Sequence, residues 1–214
     1  MCTAVDSNTV PCAVSQVTVN GETVFDFAYG HSSIQPIESA VTHDHFFDIA
    51  SITKSFTATA IMILVEEGKL RLDHKVSSLL PQFEGPGKHA VTVRQLLTHS
   101  SGLPARTLIS KVAKSREMVI DMTAKTPLVA PAGSREIYTD LGFILLGEIV
   151  SKISNSMLDQ FIREQILAPL EMNATFFNPG KDKIKQCAAT ELITSRGGII
   201  QGEVHDPKTF LMGG

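Results

Sequence analysis

Phe47-Asp48-Ile49-Ala50-Ser51-Ile52-Thr53-Lys54-Ser55-Phe56 is the stretch from which the rest of the chain can be read. A serine and a lysine stand three positions apart at the expected start of a long apolar segment. On a helix this spacing puts both side chains on one face within hydrogen-bond reach, the geometry in which a lysine can activate a hydroxyl. Ser51 is therefore a candidate nucleophile and Lys54 its candidate activator. The pair alone is a weak signal, since serine followed three residues later by lysine arises by chance about once in a chain of this length. It occurs once here, at Ser51, and its surroundings carry the reading.

Downstream of Ser51, residues 51–69 are apolar on nearly every side, from Ile52 through Val65, until Glu66-Glu67-Gly68 closes the run, which predicts a core helix. Upstream, residues 12–19 and 22–29 are rich in valine, threonine and aromatics and are separated by Asn20-Gly21, which predicts a two-stranded antiparallel hairpin. Residues 30–45, with Pro36 and many polar side chains, read as an irregular surface crossing. His43-Asp44-His45 within it has the alternation of a zinc-binding strand, but no third ligand stands at matching spacing and a solvated loop accounts for it.

Further on, residues 70–80 carry short apolar segments, Thr92 caps a short helix through Leu97, and residues 106–125 read as one exposed helix. Pro127, Pro131 and Gly133 break the pattern ahead of Tyr138. Leu141, Ile144, Leu145, Ile149, Val150 and Ile153 then recur at helical spacing, and Met157, Phe161, Ile162, Ile166 and Leu170 form a second stripe. Beyond Phe176 no regular element is predicted. The expected fold class is α+β: mostly helical, with one N-terminal β-hairpin and about five helices.

With 214 residues, 43% hydrophobic and 19% charged, residues 1–214 suit a single domain. A net charge of -3 leaves no basic footprint for nucleic acid or an anionic membrane surface. The longest apolar run, Ala60 to Val65, is far short of the roughly 20 residues that span a bilayer. The opening residues do not read as a secretory signal, so the cytoplasm is the default compartment. Cys2, Cys12 and Cys187 have neither metal-ligand spacing nor a disulfide framework, and no cofactor is expected.

Tyrosine occurs twice, and one copy lies in Tyr138-Thr139-Asp140, after a Pro/Gly-rich loop and just before an apolar helix. Taken in order, Ser51-Ile52-Thr53-Lys54, then Leu96-Leu97-Thr98-His99-Ser100-Ser101-Gly102-Leu103, then Tyr138-Thr139-Asp140-Leu141-Gly142 resemble the penicillin-recognising serine hydrolases. These are the class C β-lactamases, the D-alanyl-D-alanine carboxypeptidases and related esterases. The likeness continues through Ala168-Pro169-Leu170-Glu171-Met172 and Gly202-Glu203-Val204-His205-Asp206.

The resemblance implies a β-lactamase/DD-peptidase-like fold and a small-molecule ester, amide or β-lactam substrate. It implies that Ser51 attacks a carbonyl carbon, that Lys54 assists its deprotonation, and that Tyr138 shuttles a proton to or from the leaving group. Lysine and tyrosine both titrate near ten in water, so this chemistry needs either a buried lysine with a lowered pKa or a tyrosine beside a cation. The apolar run after Lys54 would supply the burial. Asp140 stands where the family often has asparagine or serine, and substrate binding and a helix-start role are both open to it. His99 reads as a turn residue. Taken singly, Ser51 could be a helix cap, Lys54 a solvated first-turn residue and Tyr138 a core aromatic.

Family members also carry a third motif, a lysine- or histidine-containing strand followed by glycine that lends a second oxyanion N–H. Lys208-Thr209-Phe210 is not that motif, because it lacks the glycine. The polar start before Cys12 is likewise short for the helix that the family packs on its sheet. The chain is therefore expected to lack the C-terminal strands and helix of the full fold, as a fragment, or as part of an oligomer or complementing pair that completes the sheet by strand addition. Losing one oxyanion donor costs roughly a hundred- to a thousandfold in turnover. The alternative to a serine hydrolase is accordingly a catalytically incompetent homologue with a binding or regulatory role.

Overall fold

The structure, a computed structural model, describes residues 2–35 and 37–213; Pro36, read above as part of the surface crossing, lies outside them. The described residues gather into two compact units, residues 2–49 with 178–206 and residues 50–177 with 207–213.

The first unit is built on the predicted hairpin. Asn20 at φ 51° and Gly21 at φ 85° supply the two left-handed residues that a tight hairpin turn requires. Around that turn β1 (Cys12–Val19) pairs antiparallel with β2 (Glu22–Ser33), from Val19 opposite Glu22 to Cys12 opposite Gly30, with a slip between Val17 and Thr18. Residues 30–33 are not irregular: β2 runs on and pairs with β3 (Ser39–Ala40), a tertiary pairing that the polar Gly30-His31-Ser32-Ser33 does not advertise. The start of the chain is also helical. α1 (Cys2–Asp6) is tied to the hairpin by the Tyr29 hydroxyl, which donates to Asp6 Oδ1 at 2.8 Å.

A second hairpin, β4 (Ala189–Ile193) with β5 (Gly198–Gln201), occupies sequence that predicts no regular element. Its strands are too short to show an alternation, and they are joined by a 3-10 turn at Thr194–Arg196 that Gly197 ends at φ 93°. Among the described residues no group of three or more metal-ligating side chains converges. His43 instead pairs with Asp26 at 3.1 Å, and His45 Nδ1 accepts the Thr42 N–H at 3.0 Å.

The second unit is helical. A 3-10 turn at Ala50–Ile52 leads into α2 (Thr53–Glu66), so Ser51 precedes the helix proper. α2 buries a single stripe, Thr57, Ala60, Ile61 and Leu64, and leaves Met62 46% exposed; its all-round apolar composition overstates its burial. After α3 (Val76–Leu79) comes α4 (Val93–Leu97), capped as predicted: Thr92 accepts the Gln95 N–H while Gln95 accepts the Thr92 N–H at 2.9 Å. The helix expected over residues 106–125 is two, α5 (Ile109–Val112) and α6 (Arg116–Lys125), because Ser115 caps the second by accepting the Met118 N–H.

α7 (Asp140–Ser154) begins at its Thr139 cap and buries Leu141, Leu145, Leu146, Ile149 and Val150. It packs against α2, α4, α6 and α8 (Leu158–Ile162), which runs on through a wider turn at Arg163–Leu167. Of the second apolar stripe, Phe161, Ile162 and Ile166 are buried, while Met157 and Leu170 are exposed. α9 (Pro207–Met212) was not anticipated. It starts with proline at its first position, rests on α5 and α6, and sets Leu211 and Met212 against the core. No single helix among the described residues is long and apolar enough to cross a membrane.

Candidate active site

Ser51, Lys54, Tyr138 and Asp140 come together in the helical unit, the Lys54–Asp140 pair across 86 positions. Ser51 lies in the 3-10 turn and is exposed, and Lys54 stands in the first turn of α2. Lys54 Nζ donates to Ser51 Oγ at 2.9 Å and to Asp140 Oδ1 at 2.8 Å. It also lies 5.0 Å from the centre of the Tyr138 ring and 5.9 Å from that of Phe143. Ala50, immediately before the serine, has φ 45°. A left-handed backbone costs a residue with a Cβ about 1–2 kcal/mol, and such strain gathers at functional sites.

The loop with Thr98-His99-Ser100-Ser101-Gly102 holds the tyrosine from the other side. His99, itself at φ 55°, accepts the Ile137 N–H on its carbonyl at 2.8 Å and the Thr139 N–H on Nδ1 at 3.3 Å. Its ring lies 4.4 Å from the Tyr138 ring and 5.3 Å from that of Phe143. The Thr139 hydroxyl donates to Pro104 O at 2.7 Å. Gly102, at φ 84°, is required where it is, because a Cβ there would collide with the Ala130 carbonyl. His99 thus does form the turn, and it also supports the face of the site tyrosine.

The electrostatics run opposite to the lysine-burial expectation. Burial does push the Lys54 ammonium toward a lower pKa, but the hydrogen bonds and charges of Asp140 and Tyr138 outweigh it and hold the group above its ordinary value. Hydrogen bonds from Ser51 and then Lys54 pull the Tyr138 phenol down, against a small opposing burial and the charge of Asp140. For Asp140, burial opposes ionisation, yet Lys54 and Lys208 keep its carboxyl below the usual range. The cation beside a tyrosine is therefore the arrangement present.

Lys208 is the residue that sequence reasoning set aside. The sequence suggests only a comparison with a strand motif, whereas the residue lies on a helix and places Nζ 3.3 Å from Asp140 Oδ2.

The family model described as Beta-lactamase matches residues 1–203. The chain is 34% identical over 233 aligned positions to the N-acetylmuramyl-L-alanine amidase of Bacillus subtilis, covering 94% of this chain and 53% of that protein. It is 35% identical to an Escherichia coli K12 protein provisionally named D-alanyl-D-alanine carboxypeptidase, covering 84% and 48%. Among solved structures, the octameric penicillin-binding protein homologue of Pyrococcus abyssi matches with TM-score 0.80 and 29% identity, over 96% of this chain and 50% of that one. A class C β-lactamase matches with TM-score 0.82 and 25% identity, over 99% and 58%. The chain spans about half the length of the curated relatives it matches. It belongs to the β-lactamase family of penicillin-recognising serine hydrolases.

Proposed function

We propose that this chain carries the acyl-transfer centre of a serine hydrolase, with Ser51 as nucleophile, Tyr138 as proton carrier and Lys54 as the cation that lowers the tyrosine. The observation that carries this reading is the double contact of Lys54 Nζ, 2.9 Å from Ser51 Oγ and 2.8 Å from Asp140. An ammonium that donates to the serine oxygen leaves the serine proton to point elsewhere, and hydrogen bonding between Ser51 and Tyr138 supplies its acceptor.

In the reaction, Ser51 Oγ attacks the acyl carbon as its proton passes to the Tyr138 oxygen. Lys54 stays protonated and offsets the negative charge on the tyrosine side. As the tetrahedral intermediate collapses, Tyr138 returns the proton to the departing nitrogen or oxygen, leaving an acyl-serine. Water then attacks that ester as Tyr138 takes its proton, and when the acyl–Oγ bond breaks Tyr138 returns the proton to Ser51 Oγ, releasing the acid. Ser51 lies in the first helical turn, where backbone N–H groups lack intrahelical partners, so its own N–H is available to an oxyanion.

The substrate class is a β-lactam, a D-alanyl peptide or a small ester. Support comes from relatives named as an amidase, a carboxypeptidase and a β-lactamase, all of which cleave an acyl bond. Incubation with a fluorophosphonate or a labelled penicillin, followed by intact mass, tests the reading. One adduct is expected on the native chain and none on Ser51→Ala; no native adduct, or an equal one on the variant, would overturn it. An adduct with no turnover of a chromogenic ester or cephalosporin would instead favour a binding homologue.

A further inference from the structure

We propose that Lys208 is a positioning residue of this site: from α9 it holds the second carboxylate oxygen of Asp140, so that the first stays on Lys54 and Lys54 stays on Ser51. This inference rests on the reading of Ser51 as an acyl-transfer nucleophile.

The geometry is a shared carboxylate. Lys54 Nζ takes Oδ1 at 2.8 Å and Lys208 Nζ takes Oδ2 at 3.3 Å, one oxygen each. The terminal torsion of aspartate is broad, and a single ammonium leaves the carboxylate free to rotate about it. A second cation on the other oxygen removes that freedom. The Lys54 and Lys208 side chains are 16% and 17% exposed, whereas that of Asp140 is 43% exposed, so the lysines are the more enclosed partners. Lys208 is itself anchored, since Leu211 and Met212 of the same short helix pack on the core.

Charge counting gives the second argument. The ionisable groups facing Asp140 are Lys54 from α2, Lys208 from α9, Tyr138 beside it in sequence, and His99 through a weaker Coulombic contact. Two ammonium groups share the one Asp140 carboxylate, and a Tyr138 phenolate would add a second negative charge beside Lys54. Burial and the charge of Asp140 both oppose that ionisation, and Lys208, paired with the carboxylate, offsets the second of them. Removing the Lys208 charge should therefore raise both the Asp140 carboxyl and the Tyr138 phenol.

The test uses the full chain with Lys208→Met and Lys208→Arg, with Lys208→Gln as a second neutral variant should Lys208→Met fail to fold by circular dichroism. Two titrations are read: the Asp140 carboxyl by carbon NMR, and tyrosinate absorbance in a Tyr29→Phe background, where Tyr138 is the only tyrosine. Both midpoints should move up in the neutral variants and return in Lys208→Arg. A merely structural lysine would not move them. The rate of fluorophosphonate labelling of Ser51 should fall on the order of ten- to a hundredfold, as expected for a displacement on the order of 1 Å. Its acid limb should shift to higher pH. Unmoved midpoints in a folded neutral variant would overturn the proposal. If the wild-type chain does not label at Ser51, the acyl-transfer reading fails, while the two titrations still decide whether Lys208 governs Asp140.

Discussion

Lys54 Nζ and Asp140 Oδ1 meet at 2.8 Å, and this ion pair decides which group in the site keeps its proton. With the carboxylate in place, Lys54 is held charged despite its burial and is poorly suited to be a neutral base. The lysine that burial does push down is elsewhere: Lys88 is buried, donates to the Ala124 carbonyl and has its Nζ 4.9 Å from the centre of the Phe83 ring, and the charge of Glu84 opposes the desolvation without outweighing it. The contrast shows that burial alone does not predict a lowered lysine. The neighbouring charge decides.

The chain offers a direct reading of the tyrosine. It contains no tryptophan and two tyrosines, Tyr29 and Tyr138. Tyr29 is raised above its ordinary value by its hydrogen bond to Asp6, whereas Tyr138 is lowered by Ser51 and Lys54. Tyrosinate absorbance against pH should therefore rise in two separate steps. Tyr138→Phe should abolish the earlier step and Tyr29→Phe the later. Lys54→Met should move the earlier step up, toward the later one. A single unresolved step in the native chain would contradict the geometry.

Asp140→Asn should bring the Lys54 pKa down. The largest influence on that ammonium is desolvation, which lowers it, and the amide removes the carboxylate that outweighs it. Nitrogen NMR of the lysine side chains would measure the change. The same substitution alters stability against pH. Asp140 is lowered in the folded state, so it contributes stability above the unfolded carboxyl value and loses it as pH falls through the folded one. Asparagine should flatten that acid-side decline in urea titrations.

What could be read from the sequence was what short-range chemistry sets. The Asn20-Gly21 turn, the Thr92 capping box and the α7 stripe each follow from a few neighbouring residues, and the structure contains all three. The second hairpin was not legible because β5 has four residues, too few to show an alternation. The break between α5 and α6 was hidden because Ser115 acts as a cap only once the preceding chain leaves the helix. The structure brings together Ser51, Lys54, Tyr138 and Asp140, the four residues that the motifs single out. Lys208 is not among them, because its contact with Asp140 crosses 68 positions and depends on a helix the pattern does not predict.

His99 should couple the site to pH and to stability. Its imidazole is lowered first by burial and then by the Lys54 charge, from an ordinary value near 6.5. The unfolded chain thus binds the proton more readily, and stability should fall as pH drops from that ordinary value toward the lower folded one. His99→Asn tolerates the left-handed backbone and lacks a titrating group, so it should remove this part of the pH dependence. His99→Ala should cost about 1–3 kcal/mol in urea unfolding, because it leaves the partly buried Thr139 N–H without its acceptor.

Ala50 tests whether strain beside the nucleophile is part of the site. At φ 45° its Cβ costs about 1–2 kcal/mol, which glycine would relieve. Glycine also makes the unfolded chain looser, at a cost of about 0.4–1 kcal/mol. The balance favours Ala50→Gly by up to about 1.5 kcal/mol in urea unfolding, whereas the same change inside a helix destabilises by roughly 0.5–1 kcal/mol. A more flexible turn, however, holds Ser51 less firmly against Lys54 Nζ. Fluorophosphonate labelling of Ala50→Gly should therefore slow while its urea midpoint rises. If labelling is unchanged as the midpoint rises, the left-handed turn is incidental to Ser51. If the midpoint falls instead, Ala50 is not strained in solution.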